Sequence, residues 1–453
     1  MKQIDKSLEK VLFELFDSRK FSALSDVLLS MNPADAGLFL NMIPEESLAG
    51  VFARIPVANA GLLFVELDDQ VRPVLIKGMD DPQLSSLLGS LYMDDVISLV
   101  RLLDDPQKER VKMLLEPDRA SELAMMLAYK PDSIGSLMNT SFIVLNPEMS
   151  IKDAVAYIRV AGLGKETVNV CYVTDSSRRL VGSLGLRSLV TARDDKMPVG
   201  TVMDSQPVSV DVNDDKEKVS NDFGKYDLTV MPVTDSQKRL CGIVTVDDVL
   251  DVVQNEATED MQKMAAIIPS ETPYLKTSVW KIWKARIPWL LVLMIGATFT
   301  AKVITAFESA LSACVILTAF IPMLMDTAGN AGSQASVTVV RSLALGDLKF
   351  QDLFKVLWKE MRVAVLCGVS LVVCNFAKLL LIDKVSVTVG LTVCAALFVA
   401  VIISKLIGSA LPLLLGKIGL DPAVMAGPVL TTMVDALTLV IYFTIATKIL
   451  GLA

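Results

Sequence analysis

The sequence predicts a multidomain chain: an all-α superhelical N-terminal domain, an α/β tandem pair, and an α-helical membrane domain with five transmembrane helices. Three observations carry this. The apolar excess behind a mean hydropathy of +0.51 is concentrated after about Pro288, where long apolar runs replace the mixed composition of residues 1–280. The stretch VTDSSRRLVG at 173–182 recurs as VTDSQKRLCG at 233–242, sixty residues on. Short apolar-periodic runs separated by proline turns fill residues 1–130.

Within 1–130, Ser22–Ser30, Ala34–Met42, Ser47–Arg54 and Leu91–Leu103 carry Leu, Val or Met at i, i+3, i+4 spacing. Asn32-Pro33, Ile43-Pro44, Asp80-Asp81-Pro82 and Asp104-Asp105-Pro106 punctuate them. Helices this short bury a face only by stacking on one another, hence a superhelix, although their period reads as irregular. The opening MKQIDKSLEKVLFELF is amphipathic and acidic and does not read as a signal peptide.

Residues 131–254 hold the repeat, divided at about 131–195 and 196–254. Each copy places a helix (Ser150–Arg159, Asp215–Phe223) before a β-rich run, a Thr-Asp-Ser turn, a second strand and another helix, a βαββα grammar. Residues 255–286 read as a connection. The helix leaving the second copy, Thr245–Gln262, carries Asp247, Asp248, Asp251, Glu256, Glu259 and Asp260 with no base before Lys263. Asp247/Asp251 and Glu256/Asp260 are i, i+4 pairs of like charge, each destabilising a helix by about 0.2–0.5 kcal/mol. That face is either simply solvated or kept acidic to bind divalent cations. The run Lys276–Arg286, KTSVWKIWKAR, fits an interfacial anchor.

Residues 287–453 form the membrane domain, with spans at roughly 288–307, 313–340, 361–382, 386–412 and 423–447. Arg341, Lys349, Lys355, Lys359, Arg362 and Lys417 fall on one side of these spans. The positive-inside rule then puts the N-terminal domains in the cytoplasm and the C-terminus outside, in a cell membrane.

Composition narrows the chemistry. The net charge of −8 argues against nucleic acid and leaves room for cations. There is no histidine, which removes His acid–base catalysis and the common Zn and Cu sites. A metal here takes oxygen ligands, as Mg²⁺, Ca²⁺ or Mn²⁺ do. No P-loop or nucleophile motif appears, so an enzyme is not expected. The six cysteines are scattered, without a CxxC, and read as small buried hydrophobes.

Two spans break the apolar rule. The second contains PMLMDTAGNAGSQAS (322–336), a polar, glycine-bearing stretch with Asp326, Thr327, Gly329, Asn330 and Gln334. It lines a cavity or serves as small-residue helix packing with polar glue. The fifth, GPVLTTMVDALTLVIYF (427–443), carries Thr431, Thr432 and Asp435. An ionised Asp at the bilayer centre costs about 2.5–3.5 kcal/mol on insertion scales. Asp435 therefore meets an ion or water-filled cavity, or else pairs with a buried Lys302, Lys378 or Lys405.

These two stretches, with RSLALGDL between them and the GIVTVDDVLDVVQNEATED run, resemble the MgtE family of magnesium channels and transporters. The resemblance covers nearly the whole chain: helical N domain, a pair of cystathionine-β-synthase (CBS) domains, a connecting plug helix and five spans. It implies a homodimer in the lipid bilayer with a pore on the two-fold axis, lined by Gly329, Asn330, Gln334, Thr431 and Thr432. Two facing copies of Asp435 would hold Mg²⁺ through its water shell. The resemblance also implies regulatory Mg²⁺ at Asp248, Asp251, Glu256, Glu259 and Asp260, at Asp215 and Asp227, and at Asp94 and Asp95 in the N domain. Mg²⁺ is then both substrate and regulator, closing an uptake pathway when cytoplasmic Mg²⁺ is high. It leaves ATP or another adenosine nucleotide open as a ligand of the CBS pair. The second copy keeps the family's G-h-h-[ST]-x-x-D run in Gly242–Asp248, whereas Gly182–Ser188 lacks both hydroxyl and acid. Asp326 has two readings, a cation-attracting group near a pore mouth or a carboxylate capped by backbone amides. A Na⁺- or H⁺-coupled carrier of divalent cations and a nucleotide-sensing CBS receptor are the rival functions.

Overall fold

The computed structural model describes residues 5–270 and 272–452, without the side chains of Lys276 and Met425. Met1–Ile4 of the opening amphipathic stretch and the Lys276 side chain of the basic run therefore lie outside the described residues. The chain divides into two compact units, Met1–Val253 and Gln254–Ala453.

The first unit opens with ten short helices, from α1 (Lys6–Asp17) to α10 (Pro117–Leu127). The helix starts are regular, against the irregular period expected from sequence. Lys20, Asn32, Pro44, Pro56, Asp80, Tyr92, Asp104 and Glu116 each precede a helix, one every twelve residues, with the start near Asp68 delayed to Gln70. The residue types at these positions differ, and only some of them cap with a side chain. Asn32 caps with its side chain, the prolines lack an N–H, and Asp80 and Asp104 form capping boxes with Gln83 and Gln107. From α2 (Phe21–Ser30) onward, each helix packs chiefly on the one two places further along, which is superhelical stacking. Ser25 donates to the Arg54 carbonyl and Ser85 to the Leu114 carbonyl, so equivalent hydrogen bonds recur along the stack.

The repeat forms two three-stranded sheets of the same topology. The first contains β1 (Val144–Leu145), α11 (Ile151–Ala161), β2 (Val170–Thr174), β3 (Leu180–Gly185) and α12 (Leu186–Val190). The second contains β4 (Val210–Asp211), α13 (Lys216–Tyr226), β5 (Val230–Thr234), β6 (Leu240–Thr245) and α14 (Val246–Met264). β1 runs parallel to β2 and β3 antiparallel, and the second sheet repeats this. Val173 pairs with Gly182 and Val233 with Gly242, and each pair is followed by the same bulge. Asp175 and Asp235 explain the shared turn: each carboxylate accepts two backbone N–H groups across it. The turns also pair with each other. Leu180 N–H donates to the Lys238 carbonyl and Leu240 N–H to the Arg178 carbonyl, a pseudo-two-fold exchange. The chain entering each copy crosses onto the other copy's sheet: Asn139 bridges to Ile243 and Asp204 to Ser183.

The second unit takes in the end of α14 and then α15 (Val279–Ala306), α16 (Glu308–Ala313), α17 (Ile321–Ala344), α18 (Leu353–Leu381), α19 (Val387–Lys417) and α20 (Pro428–Leu450). Five of its helical stretches are long and apolar enough to cross a membrane. The second begins with a 3-10 turn over Val315–Phe320, and the α-helix starts only at Ile321, with Pro322 in its first turn, where a missing N–H is harmless. α19 is the central, most buried span and packs against α17, α18 and α20. Contact with α17 is backbone to backbone: a Cβ on Gly408 would collide with the Gly332 carbonyl, and the Ser404 hydroxyl donates to the Ala328 carbonyl. Small residues four apart on both helices permit this approach. The Tyr442 hydroxyl on α20 donates to the Leu317 carbonyl at 2.9 Å, tying the 3-10 turn to the last span.

Candidate cation sites

The membrane site begins with α20. Pro428 starts the helix, and its carbonyl accepts from the Thr431 and Thr432 hydroxyls at 2.9 and 2.8 Å. Both threonine oxygens keep lone pairs to offer. Thr431 and Asp435 lie one turn apart on the face toward α17, where Gly329 has no side chain. A Cβ there would lie 3.3 Å from Thr431 Cγ2 and 3.8 Å from Asp435 Oδ1. Gly329, Thr431 and Asp435 thus meet. Thr432 turns its methyl toward Gly296 of α15.

Asn330 and Gln334 point round the helix into a groove of about 520 Å³ lined also by Asp326, Thr327, Ser370 and Lys405. Among the described residues Asp326 accepts no hydrogen bond, so backbone capping does not hold it; it is exposed in that groove. No lysine answers Asp435 either. Lys405 pairs with Glu360 at 3.7 Å, Lys378 pairs with Asp383 at 2.7 Å, and Lys302 is exposed. Half-buried Asp435 has no ion pair or side-chain hydrogen bond among the described residues.

A second group of acids lies in the first unit. Asp94 and Asp95 occupy the first turn of α8 (Met93–Leu102). The Asn139 amide donates to both Asp94 oxygens at 3.2 Å and to Glu166 Oε2 at 2.9 Å. Asp247 and Asp248 approach from the start of α14, where the Thr245 hydroxyl donates to Asp248 at 2.7 Å. Burial, then the charge of Asp95, raises Asp94 to about 6. Burial, then Asp248, raises Asp95 to about 6, against the pull of Arg72. Burial, with Asp94, Asp248, Asp247 and Asp95, raises Glu166 to about 7. Burial raises Asp248 to about 7 despite the Thr245 hydrogen bond, helped by Asp94, Asp247 and Asp251. Asp251 itself is pushed upward by burial and Asp247. Carboxylates crowded with so little cationic relief favour whatever brings positive charge, a proton or a metal ion.

Asp215 and Asp227 stand at the two ends of α13. Asp215 accepts the Glu217 and Lys218 N–H groups as N-cap, and Asp227 is the left-handed C-cap at φ 52°. Neither is brought onto the Asp94–Asp248 group by a hydrogen bond or ion pair among the described residues.

The third group lies in the second unit, on the last two turns of α14. Lys263 bridges Glu259 and, at 2.6 Å, Asp421. Burial and the nearby Asp421 raise Asp260. Met264, the last residue of α14, packs against Val340, Ala423 and Ala426. Its carbonyl abuts Gly427, where a Cβ would collide with it. The helix that carries Glu256, Glu259 and Asp260 therefore ends against Gly427, the residue just before the Asp435 helix. Among the described residues no three carboxylates or thiols close into a ligand cage. The sequence alone points to neither Glu166 nor Asp421 as a cation ligand, and it offers Asp247 only as part of an acidic face. Glu166 and Asp421 stand alone in loops, with no periodic signal; Asp247 was visible in its acidic run.

Comparison with known proteins bears on the family and the order of its domains. The family model for the MgtE divalent cation transporter matches residues 321–445, the MgtE intracellular N domain matches 31–132, and CBS domains match 134–195 and 199–255. The magnesium transporter MgtE of Thermus thermophilus is 32% identical over 99% of this chain and 99% of its own length. The chain belongs to the MgtE family. The MgtE of Bacillus subtilis is 28% identical over 98% of this chain and 97% of its own. Among solved structures, the cytosolic domain of the Mg²⁺ channel MgtE in complex with ATP is 31% identical, with a TM-score of 0.52, over 54% of this chain and 99% of that one. The soluble part of a magnesium transporter is 26% identical at the same TM-score, over 56% of this chain and 99% of that one. Membership of the MgtE family and the five apolar helices make the chain a multi-pass membrane protein with a helical N domain and a CBS pair.

Proposed function

We propose that the chain imports Mg²⁺ as a homodimer and is closed by cytoplasmic Mg²⁺. The observation that carries this is the junction of Met264 with Gly427, which joins an acidic helix end to the helix bearing Asp435. Two copies of Asp435, each facing a glycine and a threonine, attract a hydrated Mg²⁺ without stripping its waters, which the ion gives up reluctantly. Holding the ion through its waters suits conduction, which needs release as well as capture. The basic residues between the second and third spans and at Lys417 support N-terminal domains in the cytoplasm and a C-terminus outside.

Closure follows from the acids. Without Mg²⁺ the Asp94, Asp95, Glu166, Asp247 and Asp248 charges repel, and Glu256, Glu259 and Asp260 gather charge beside Asp421. Mg²⁺ screens both groups and favours the compact arrangement in which α14 presses on α20. Moving a gate from 99% open to 99% closed needs about 5.5 kcal/mol of differential binding, more than one weak site provides. Several acidic groups acting together supply it. Asp251, Asp215 and Asp227 add charge to the same unit. An adenosine nucleotide such as ATP is a further ligand of the CBS pair, in keeping with the relative solved with ATP.

The test is Mg²⁺ influx into proteoliposomes carrying a Mg²⁺ indicator. Asp435→Asn should cut influx at least tenfold while the protein still elutes as a single assembly. Undiminished influx would remove Asp435 from the pathway.

A further inference from the structure

We propose that the groove between α18 and α19, at the end where α18 begins, binds one anionic phospholipid. The inference rests on the membrane assignment of these helices and not on the identity of the transported ion. The groove holds about 570 Å³ and its lining is apolar: Phe354, Leu357, Trp358 and Met361 from α18, Leu406 and Ile407 from α19. Phe354 and Trp358 are 82% and 65% exposed. Side chains this apolar in a membrane span face hydrocarbon, and a recess between them fits an acyl chain.

The rim decides which lipid. The Arg362 guanidinium lies 5.9 Å from the Trp358 ring centroid, and its Nε donates to the Trp358 carbonyl at 3.4 Å, so it is held beside the groove. Lys359 is exposed on the adjoining turn. Among the described residues neither cation has a carboxylate within ion-pairing distance. The one acid between them, Glu360, turns inward to Lys405. On the neighbouring helix end, the Lys417 ammonium lies 4.2 Å from the Phe350 ring centroid, adding a third cation at the same membrane surface. Aromatic rings with long cationic side chains are the residues that sit at the headgroup level. An anionic phosphate headgroup meets uncompensated charge there, whereas a zwitterionic one brings its own ammonium. A second copy of the chain docking groove to groove about a two-fold axis would set Lys359 and Arg362 against their own counterparts.

Native mass spectrometry of the full-length protein, with equimolar palmitoyl-oleoyl phosphatidylglycerol and phosphatidylcholine, tests the assignment. The wild type should retain phosphatidylglycerol on the order of tenfold more than phosphatidylcholine, as two interfacial cations imply. Lys359→Gln/Arg362→Gln, which alters only exposed side chains, should bring the two lipids level. Ala410→Trp, which fills the groove floor, should lower retention of both. Equal retention by the wild type, or an unchanged preference in the double variant, would overturn the proposal. So would efficient disulfide linkage of two Phe354→Cys copies in phosphatidylglycerol vesicles, which would give the groove to a second copy.

Discussion

Asp248→Asn separates repulsion from metal binding in the first unit. Asn keeps an oxygen for the Thr245 hydroxyl, so the local hydrogen bond survives the change. What disappears is a carboxyl raised from 3.8 to about 7. Three units at about 1.4 kcal/mol each put the cost of ionising Asp248 in place at about 4 kcal/mol. Part of that cost is burial and part is repulsion from Asp94, Asp247 and Asp251. Removing it should stabilise the metal-free compact arrangement by about 1–3 kcal/mol at pH 8, where the acids are ionised. Hydrogen exchange of segments 90–100 and 245–252 reads this directly. In chelator, the variant should exchange at least about tenfold more slowly than wild type. Addition of Mg²⁺ should protect the wild type strongly and the variant little. A variant that exchanges faster in chelator, or keeps the full Mg²⁺ response, refutes the view that these acids are poised against one another. The pH dependence has a fixed sign. Asp94, Asp95, Glu166 and Asp248 have higher pKa values in the compact state than unfolded, so that state binds more protons. In chelator its stability should be complete below the ordinary carboxyl value and fall as pH rises through about 6 to 7.

Four further variants probe the second unit. Lys263 is a built-in cation between Glu259 and Asp421, competing with Mg²⁺ for them. Lys263→Gln should therefore lower the Mg²⁺ concentration that half-closes the pathway several-fold, since such partly exposed pairs are worth about 1 kcal/mol together; a higher midpoint in proteoliposome influx would contradict this. Glu360→Leu strands the buried Lys405 and should destabilise the protein in detergent by about 3–5 kcal/mol, with much of that recovered in Glu360→Leu/Lys405→Met. A thermal-aggregation series in which the double variant is the weaker of the two would reject the pairing. Gly408→Leu drives a side chain into the Gly332 carbonyl and should cost about 3 kcal/mol or more, read as loss of the monodisperse peak in size-exclusion chromatography.

Much of the fold was legible because it is local. Proline and aspartate turns marked the N-domain helices, the VTDS repeat marked the paired sheets, and apolar length marked the spans. The helical period was hidden because the residues before successive helices, such as Lys20, Asn32, Pro44 and Asp80, share no side-chain type. Candidate sites were legible where an acid stood out against its background, as Asp435 does among apolar residues and Asp248 in its run. They were opaque where partners come from distant sequence. Nothing near Glu166 announces Asp94, Asn139 or Asp248, and nothing near Asp421 announces Lys263. That Gly329 meets Asp435 while Asn330 and Gln334 line a groove with Ser370 and Lys405 depends on helix phase, which a motif does not display.

The twelve-residue spacing of the N-domain helices, combined with packing between alternate ones, quantises the length of this part of the chain. Removing one full pair, twenty-four residues, returns every remaining helix to an equivalent neighbour and keeps the stack in phase. Removing twelve exchanges the two rows of the stack and sets each buried leucine face against the wrong row. An arm built this way is expected to tolerate length changes in whole pairs of helices better than the loss or gain of a single one.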